Sequence, residues 1–369
     1  MEVYSVPNGS LADNPVNSAH LWQAYTMTLI RLFAGLILST ATLIFLTPLA
    51  AQERDFDAWL AELRQEALDR GISAESVALA FSEITPPVQR IISSDRSQPE
   101  RVQTYADYLG ARVSDWKIEN GRKRMIEHAD LLREVGEKYG VQPRFIVAFW
   151  GMETNFGTYP IPEPLFNVLA TLSFDNRRAS FFRAQFFAAL EMLESGFPPY
   201  EQMKSSWAGA MGQSQFIPES YLQYAVDHDG DGNRDIWNSE ADVFASIANY
   251  IKARGWRDDL TWGRSVTLPA GGDSVLQEND NATIDAPSNC RRYGSLGVWR
   301  DLQQWQALGV RKADGTELPT RSIPAALVYG DPGDDEAYLV YGNFCGIMAY
   351  NPALKYALSI GLLSDLIVP

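Results

Sequence analysis

The sequence predicts a mainly α fold: a helical body with flanking helices and a small β subdomain inserted before the last helix. Three observations carry this. From Asp55 to about Gly263, apolar residues recur at helical spacing. Within that span "QPRFIVAFWGMETNFG" is apolar all round, the mark of a helix buried in a core. After Trp262 the chain turns to short β-branched and aromatic runs divided by Gly, Pro and Asp-rich turns.

In chain order, the first informative stretch is "RLFAGLILSTATLIFLTPLAAQ". It has a positive residue, Arg31, an apolar run from Leu32 to Leu46, then Pro48 and small residues ending at Ala51, the layout of a secretory signal peptide. The polar segment ahead of it makes the leader longer than the usual 15–30 or so residues, and a start at Met27 would restore an ordinary length. The alternative is an uncleaved segment associating the protein with the inner membrane, since the run could just span a bilayer. Either way the body is exported, with the periplasm its expected location.

"DFDAWLAELRQEALDRG" sets Phe56, Trp59, Leu60 and Leu63 on one stripe and closes on Gly71, a helix-ending residue. "NGRKRMIEHADLLREVGEKYG" and "RRASFFRAQFFAALEMLESG" predict further helices. So does "SEADVFASIANYIKARGW", where Ser239 and Asp242 stand in capping-box order. "RSVTLPAGGDSV", "RRYGSLGVW", "IPAALVYG" and "AYLVYGNF" predict strands, and "NPALKYALSIGLLSDLI" a closing helix. The expected division is an extension and signal peptide over 1–51, the helical body over 52–263, the β subdomain over 264–345 and the returning helix over 346–369.

With 369 residues the chain can bury one large core and a smaller satellite. Its net charge of −15 argues against wrapping nucleic acid, whose phosphates call for a basic surface. Ten Trp and sixteen Tyr suit a ligand with flat, partly apolar faces, such as sugar rings. In an exported protein, a disulfide between Cys290 and Cys345 would close a long loop and contribute about 2–4 kcal/mol. Sequence leaves open whether the two cysteines meet.

The chemistry gathers at the end of the buried helix. "FIVAFWGM" delivers the chain onto Glu153, with Phe149 and Trp150 at helical spacing behind it. Apolar neighbours and the negative end of the helix dipole both push a carboxyl's pKa up from about 4.3. A glutamate kept protonated near neutral pH is what a general acid requires. The competing reading is a helix-end glutamate pointing to solvent. Elsewhere, "SSWAGAMGQSQFIPESY" mixes small residues with Ser206, Gln213 and Gln215, and "SFDNRRAS" offers the paired Arg177 and Arg178 for a substrate carboxylate. No His or Cys cluster suggests a transition metal.

The blocks "GMETNFG", "ATLSFDNRRASFF", "SSWAGAMGQSQFIPESYLQYAVDHDGDGNRDIW", "ANYIKARGW" and "AYN", in this order, resemble the B-type lytic murein transglycosylases, glycoside hydrolase family 103. The likeness runs from about Asp55 to about Leu366. It implies a lysozyme-like catalytic α domain with flanking helices and a small β domain. It also implies Glu153 as the catalytic residue, and Arg177, Arg178, Ser206, Gln215, Tyr250, Tyr350, Asn351 and Tyr356 as substrate-binding residues. The implied substrate is the glycan strand of peptidoglycan, cut at the MurNAc–GlcNAc bond without water and without a required cofactor. A lysozyme-type muramidase and a non-catalytic peptidoglycan-binding scaffold are the rival readings.

"DHDGDGNRDIWN" places Asp227, Asp229, Asp231 and Asp235 at positions 1, 3, 5 and 9, with Gly232 at 6 and Asn233 at 7, the opening of a calcium loop. Position 12 should be Glu and is Asn238. Relatives in the family that bind calcium use a longer loop ending in Asp, for which Asp242 is the candidate. A structural calcium on Asp227, Asp229, Asp231, Asn233 and Asp242 is therefore the expectation.

Overall fold

The structure is a computed structural model that describes residues 55–272, 283–331 and 336–368. The leader, with Met27 and the Leu32–Leu46 run, lies outside the described residues, as do the last residues of the "RSVTLPAGGDSV" strand. Among the described residues no helix is long and apolar enough to cross a membrane.

Side-chain caps start the helices near the N-terminal end of the described body. Asp55, Ser73, Thr104 and Ser114 hold extended dihedrals, and each side chain accepts from a backbone N–H in the first turn of its helix. They open α1 (Phe56–Asp69), α2 (Ala74–Ser82), α5 (Tyr105–Arg112) and α6 (Asp115–Glu127). Between α2 and α5 lie α3 (Gln89–Arg96) and α4 (Pro99–Val102). The segment read from sequence as one helix over Asn120–Gly140 is two, divided at His128, with α7 (Ala129–Tyr139) following α6. Gly140 ends α7 at φ +68°, where a side chain would be strained.

Next comes α8 (Pro143–Thr154), with proline in its first turn and every residue from Phe145 to Met152 buried. Around it pack α6, α7, α12 (Glu240–Ala253) and α15 (Leu354–Leu366). Helices α9 (Leu165–Phe174) and α10 (Ala179–Glu194) form a hairpin, and α11 (Pro218–Tyr224) lies on α10. A short ribbon pairs β1 (Glu163–Pro164) with β2 (Lys204–Ser205).

The sheet is antiparallel throughout, in the order β4 (Trp299–Asp301), β6 (Pro324–Tyr329), β7 (Ala337–Val340), β3 (Gly263–Thr267), β5 (Arg311–Lys312). It has its own core of Leu260, Val266, Leu302, Trp305, Val310 and Leu339, shared with the short helix α13 (Leu302–Ala307). Two strand expectations are corrected. "AYLVYGNF" is a strand only to Val340, and α14 (Gly342–Tyr350) starts at once, so the chain is helical again before residue 345. In "RRYGSLGVW" only the last residue enters a strand, and the rest holds a turn and a 3-10 helix over Gly294–Leu296. The predicted capping box of α12 is half made. Ser239 accepts from the Asp242 N–H, but the Asp242 carboxylate turns away to the acidic loop.

Candidate active site

The last turn of α8 explains how Glu153 is presented. Asn155 and Phe156 both take positive φ, +50° and +61°, a conformation that non-glycine residues rarely hold. The reversal folds the Phe156 ring back over the helix, where it lies edge-on to Trp150 at 5.6 Å. Gly151 makes room for it, since a Cβ there would sit 2.5 Å from the ring. The helix end is then fixed from outside. The Thr154 hydroxyl donates to the Gln213 carbonyl at 3.0 Å and accepts from the Gly157 N–H at 3.1 Å. Gln213 Oε1 accepts from Trp150 Nε1 at 2.7 Å. Phe149 and Trp150, expected beside the carboxyl, are buried; Trp150 packs on Phe244 and Phe149 backs Tyr350.

Glu153 is half-buried, and its Oε1 accepts a hydrogen bond from the Tyr356 hydroxyl on α15. Burial first, and then the Glu153 charge, hold the Tyr356 phenol well above its ordinary pKa. Tyr350 is raised for the same two reasons, and its hydroxyl donates to the Ser214 carbonyl at 2.5 Å. Tyr250 lies 4.8 Å from Tyr350 and donates to the Ala349 carbonyl at 2.6 Å. These phenols are therefore neutral donors across the working pH range. The arrangement brings together Glu153, Tyr250, Tyr350 and Tyr356. Asn351 follows at the end of α14, where its Oδ1 accepts from the Ala353 N–H.

Ser206 and Gln215 belong to the neighbouring turn. The Ser206 hydroxyl accepts from the Ala208 and Ala210 N–H groups, and Gln215 donates to the Gly212 carbonyl at 3.0 Å. Gln215 holds a positive φ of +52° to do so. Arg177 and Arg178 form a second cluster, both paired with Asp95 of α3, whose carboxylate is 2% exposed.

Sequence reasoning missed Asp95, and it missed Lys117 on α6. Lys117 is buried, and its ammonium is pushed down to about 8 by burial, then by the Arg112 charge, against a pull from Glu153. A buried lysine or aspartate looks in sequence like any solvated charge. The only signal for Lys117 is its spacing of one helical turn from Gly121, the other buried residue of α6.

In the acidic loop, carboxylate oxygens of Asp227, Asp229 and Asp242 all lie within 4.8 Å of one another. Asp231 stands outside this group and accepts from the Asn233 N–H, while Asn238 donates its side-chain N–H groups to Asp235. Asp242 is fully buried, and burial lifts its pKa despite N–H donors from His228 and Asp235. Among the described residues none of the three carboxylates has an ion-pair partner. A hard cation suits such a set. The loop ends on Ile236 and Trp237, whose carbonyls accept from the Gln213 backbone and side chain.

The fold and the site define a lysozyme-like helical protein with one helix-end carboxyl bonded to a buried phenol. A family model described as the transglycosylase SLT domain matches residues 55–365, and the chain belongs to this family. It is 33% identical over 246 residues to the membrane-bound lytic murein transglycosylase B of Escherichia coli (strain K12). That alignment covers 66% of this chain and 62% of the relative, so the chain spans less than two thirds of that relative's length. SltB3 of Pseudomonas aeruginosa, solved in complex with NAG-anhNAM-pentapeptide, is 40% identical at a TM-score of 0.75, covering 85% of this chain and 79% of that one. The Escherichia coli lytic transglycosylase SLT35, solved in complex with calcium, is 25% identical at a TM-score of 0.67, covering 84% of this chain and 92% of that one.

Proposed function

We propose that this protein is a peptidoglycan lytic transglycosylase, with Glu153 as both acid and base. The observation that carries the reading is the Tyr356–Glu153 hydrogen bond at the end of a buried helix, in a chain of this family. Glu153 protonates the oxygen of the MurNAc–GlcNAc β-1,4 bond, and the C1–O bond breaks. The ionised Glu153 then takes the proton of the MurNAc C6 hydroxyl, whose oxygen bonds to C1. The product carries a 1,6-anhydro ring, and the glutamate ends in its starting state.

Most glycosidases need two carboxylates. Here the substrate provides its own nucleophile, so one is enough, and α8 carries no other. Tyr356 fixes the rotation of the carboxyl, and the neutral phenols of Tyr250 and Tyr350 shape the wall beside it. Ser206, Gln215 and Asn351 line the sugar path, and Arg177 and Arg178 meet an anionic group of the substrate. The anhydro sugar in the SltB3 complex supports this product.

Asp227, Asp229 and Asp242 would hold a structural calcium, which neutralises three converging carboxylates and takes no part in the reaction. The leader directs the body to the periplasm. The sheet is inserted between the helical body and the returning helices α14 and α15, which bring Tyr350 and Tyr356 back to Glu153. Digestion of purified sacculi, followed by mass measurement of the released muropeptides, tests the reading. Products one water lighter than hydrolytic fragments are expected. Hydrolytic masses would make the protein a muramidase, and no release would make it a scaffold.

A further inference from the structure

The strained turn after Glu153 carries an aromatic tier that reaches solvent. Asn155 and Phe156 hold positive φ, a conformation that persists only where the surroundings fix it and that gathers at functional sites. The Phe156 ring joins a buried tryptophan, Trp150 at 5.6 Å, to an exposed one, Trp116 of α6 at 6.2 Å. Trp116 differs from the tryptophans of the core. Trp150, Trp256, Trp262 and Trp305 are buried, and each donates its Nε1 to an internal acceptor. Trp116 is 49% exposed, the one exposed tryptophan among the described residues, and no described residue accepts from its Nε1. The core therefore gains little from this ring.

The turn that presents the ring is nevertheless fixed. The Trp116 carbonyl accepts from Asn120 Nδ2 at 2.8 Å, and the Ser114 hydroxyl caps the Lys117 N–H. One turn further on, a Cβ on Gly121 would lie 2.6 Å from Ile367 and 3.5 Å from the Phe156 ring, so α6 is pressed against the end of α8. The same turn borders the site: the buried Lys117 ammonium, next to Trp116, feels the Glu153 charge. Trp116 thus stands at the α6 edge of the Glu153 site, to which Tyr250, Tyr350 and Tyr356 come from α12, α14 and α15.

An indole on a rigid support offers a flat apolar face and an N–H donor. A pyranose ring is its complement, with a face of C–H groups and a rim of hydroxyls. The helical neighbours of Trp116 are polar, with Asp115 and Glu119 exposed and Asn120 half-buried. A membrane-seated tryptophan would want basic neighbours, and a protein-docking patch a contiguous apolar surface.

We infer that Trp116 is a stacking platform for one sugar ring of the glycan strand, at a subsite beside the bond that is cut, and that it sets affinity for the strand. The inference rests on the proposed transglycosylase reading.

The test uses the whole chain carrying Glu153→Gln to stop turnover, with a peptide-free octasaccharide of alternating GlcNAc and MurNAc as ligand. In calorimetry Trp116→Ala weakens binding about five- to tenfold, the order expected for a lost aromatic partner. Trp116→Tyr, which keeps a flat ring, restores most of it. Ile126→Ala is the control: Ile126 is 68% exposed near the other end of α6, and its loss leaves binding within twofold. Iodide quenching of fluorescence gives a readout that a structural role would not move. The quenchable emission that disappears in Trp116→Phe is shielded when the octasaccharide binds. In the active enzyme Trp116→Ala raises KM for soluble strands with kcat within twofold. Should Trp116→Ala fail to fold, the quenching measurement decides. Unchanged affinity in Trp116→Ala, or an indole as open to iodide with the octasaccharide as without it, would overturn the inference while the unaltered protein still released muropeptides. A protein that neither bound the octasaccharide nor released muropeptides would sink the parent reading along with this one.

Discussion

Glu153 and Tyr356 stand 203 residues apart and meet only because α15 packs along α8. Glu153 was legible in sequence, since an apolar helix that ends on a carboxylate has to put that charge somewhere. Its setting was not, because Asp95 and Lys117 carry ordinary charges whose burial depends on distant partners. Lys117 gives a prediction at this scale. Its ammonium sits at about 8 in the folded protein against an ordinary 10.5. Below about pH 8 it is charged in both states, and the cost of burying that charge is present in full. Between about 8 and 10.5 the unfolded chain binds the proton and the folded chain does not, so stability from this group rises with pH. Lys117→Met should therefore stabilise the protein at pH 7, by at most about 3 kcal/mol. That advantage should shrink by pH 10. Urea unfolding at the two pH values checks it, and a less stable variant at pH 7 would contradict the burial argument.

Among the elements, the long amphipathic helices were legible because their apolar stripes are continuous. The sequence around Val340 misled because Tyr and Val favour strands locally, whereas Phe344, Ile347 and Met348 are needed at helical spacing to fill the core. The acidic loop was legible in part: Asp242, the candidate for the last ligand, does lie with Asp227 and Asp229, but Asp231 points elsewhere. Calcium at about one hundred times its Kd should stabilise the fold by about 2.7 kcal/mol. For a body of this size that corresponds to a rise in Tm of roughly 4 °C. Asp229→Asn should abolish most of the rise in a thermal scan with and without chelator. A shift that survives the substitution would assign the effect to another site.

For the whole molecule, the disulfide between Cys290 and Cys345 ties the loop before β4 to α14, which leads directly to Tyr350. Composition announced two cysteines, but their meeting depends on a sheet and a helix folding together. A bridge across a sequence separation of 55 residues should contribute about 2–4 kcal/mol, mainly by restricting the unfolded chain. Replacing both cysteines by alanine should lower the denaturant midpoint accordingly while leaving the room-temperature reaction largely intact. An unchanged midpoint would remove the bridge from the account of stability.

The central claim is that one carboxyl both donates and recovers the proton of the reaction. Its most direct test is the rate at which Glu153→Gln releases anhydro-muropeptides from sacculi, measured beside the unaltered protein. The amide cannot exchange that proton, so release should fall by about 10²–10⁴-fold, with circular dichroism and muropeptide binding preserved. A folded Glu153→Gln protein that still released anhydro products at the original rate would contradict the account.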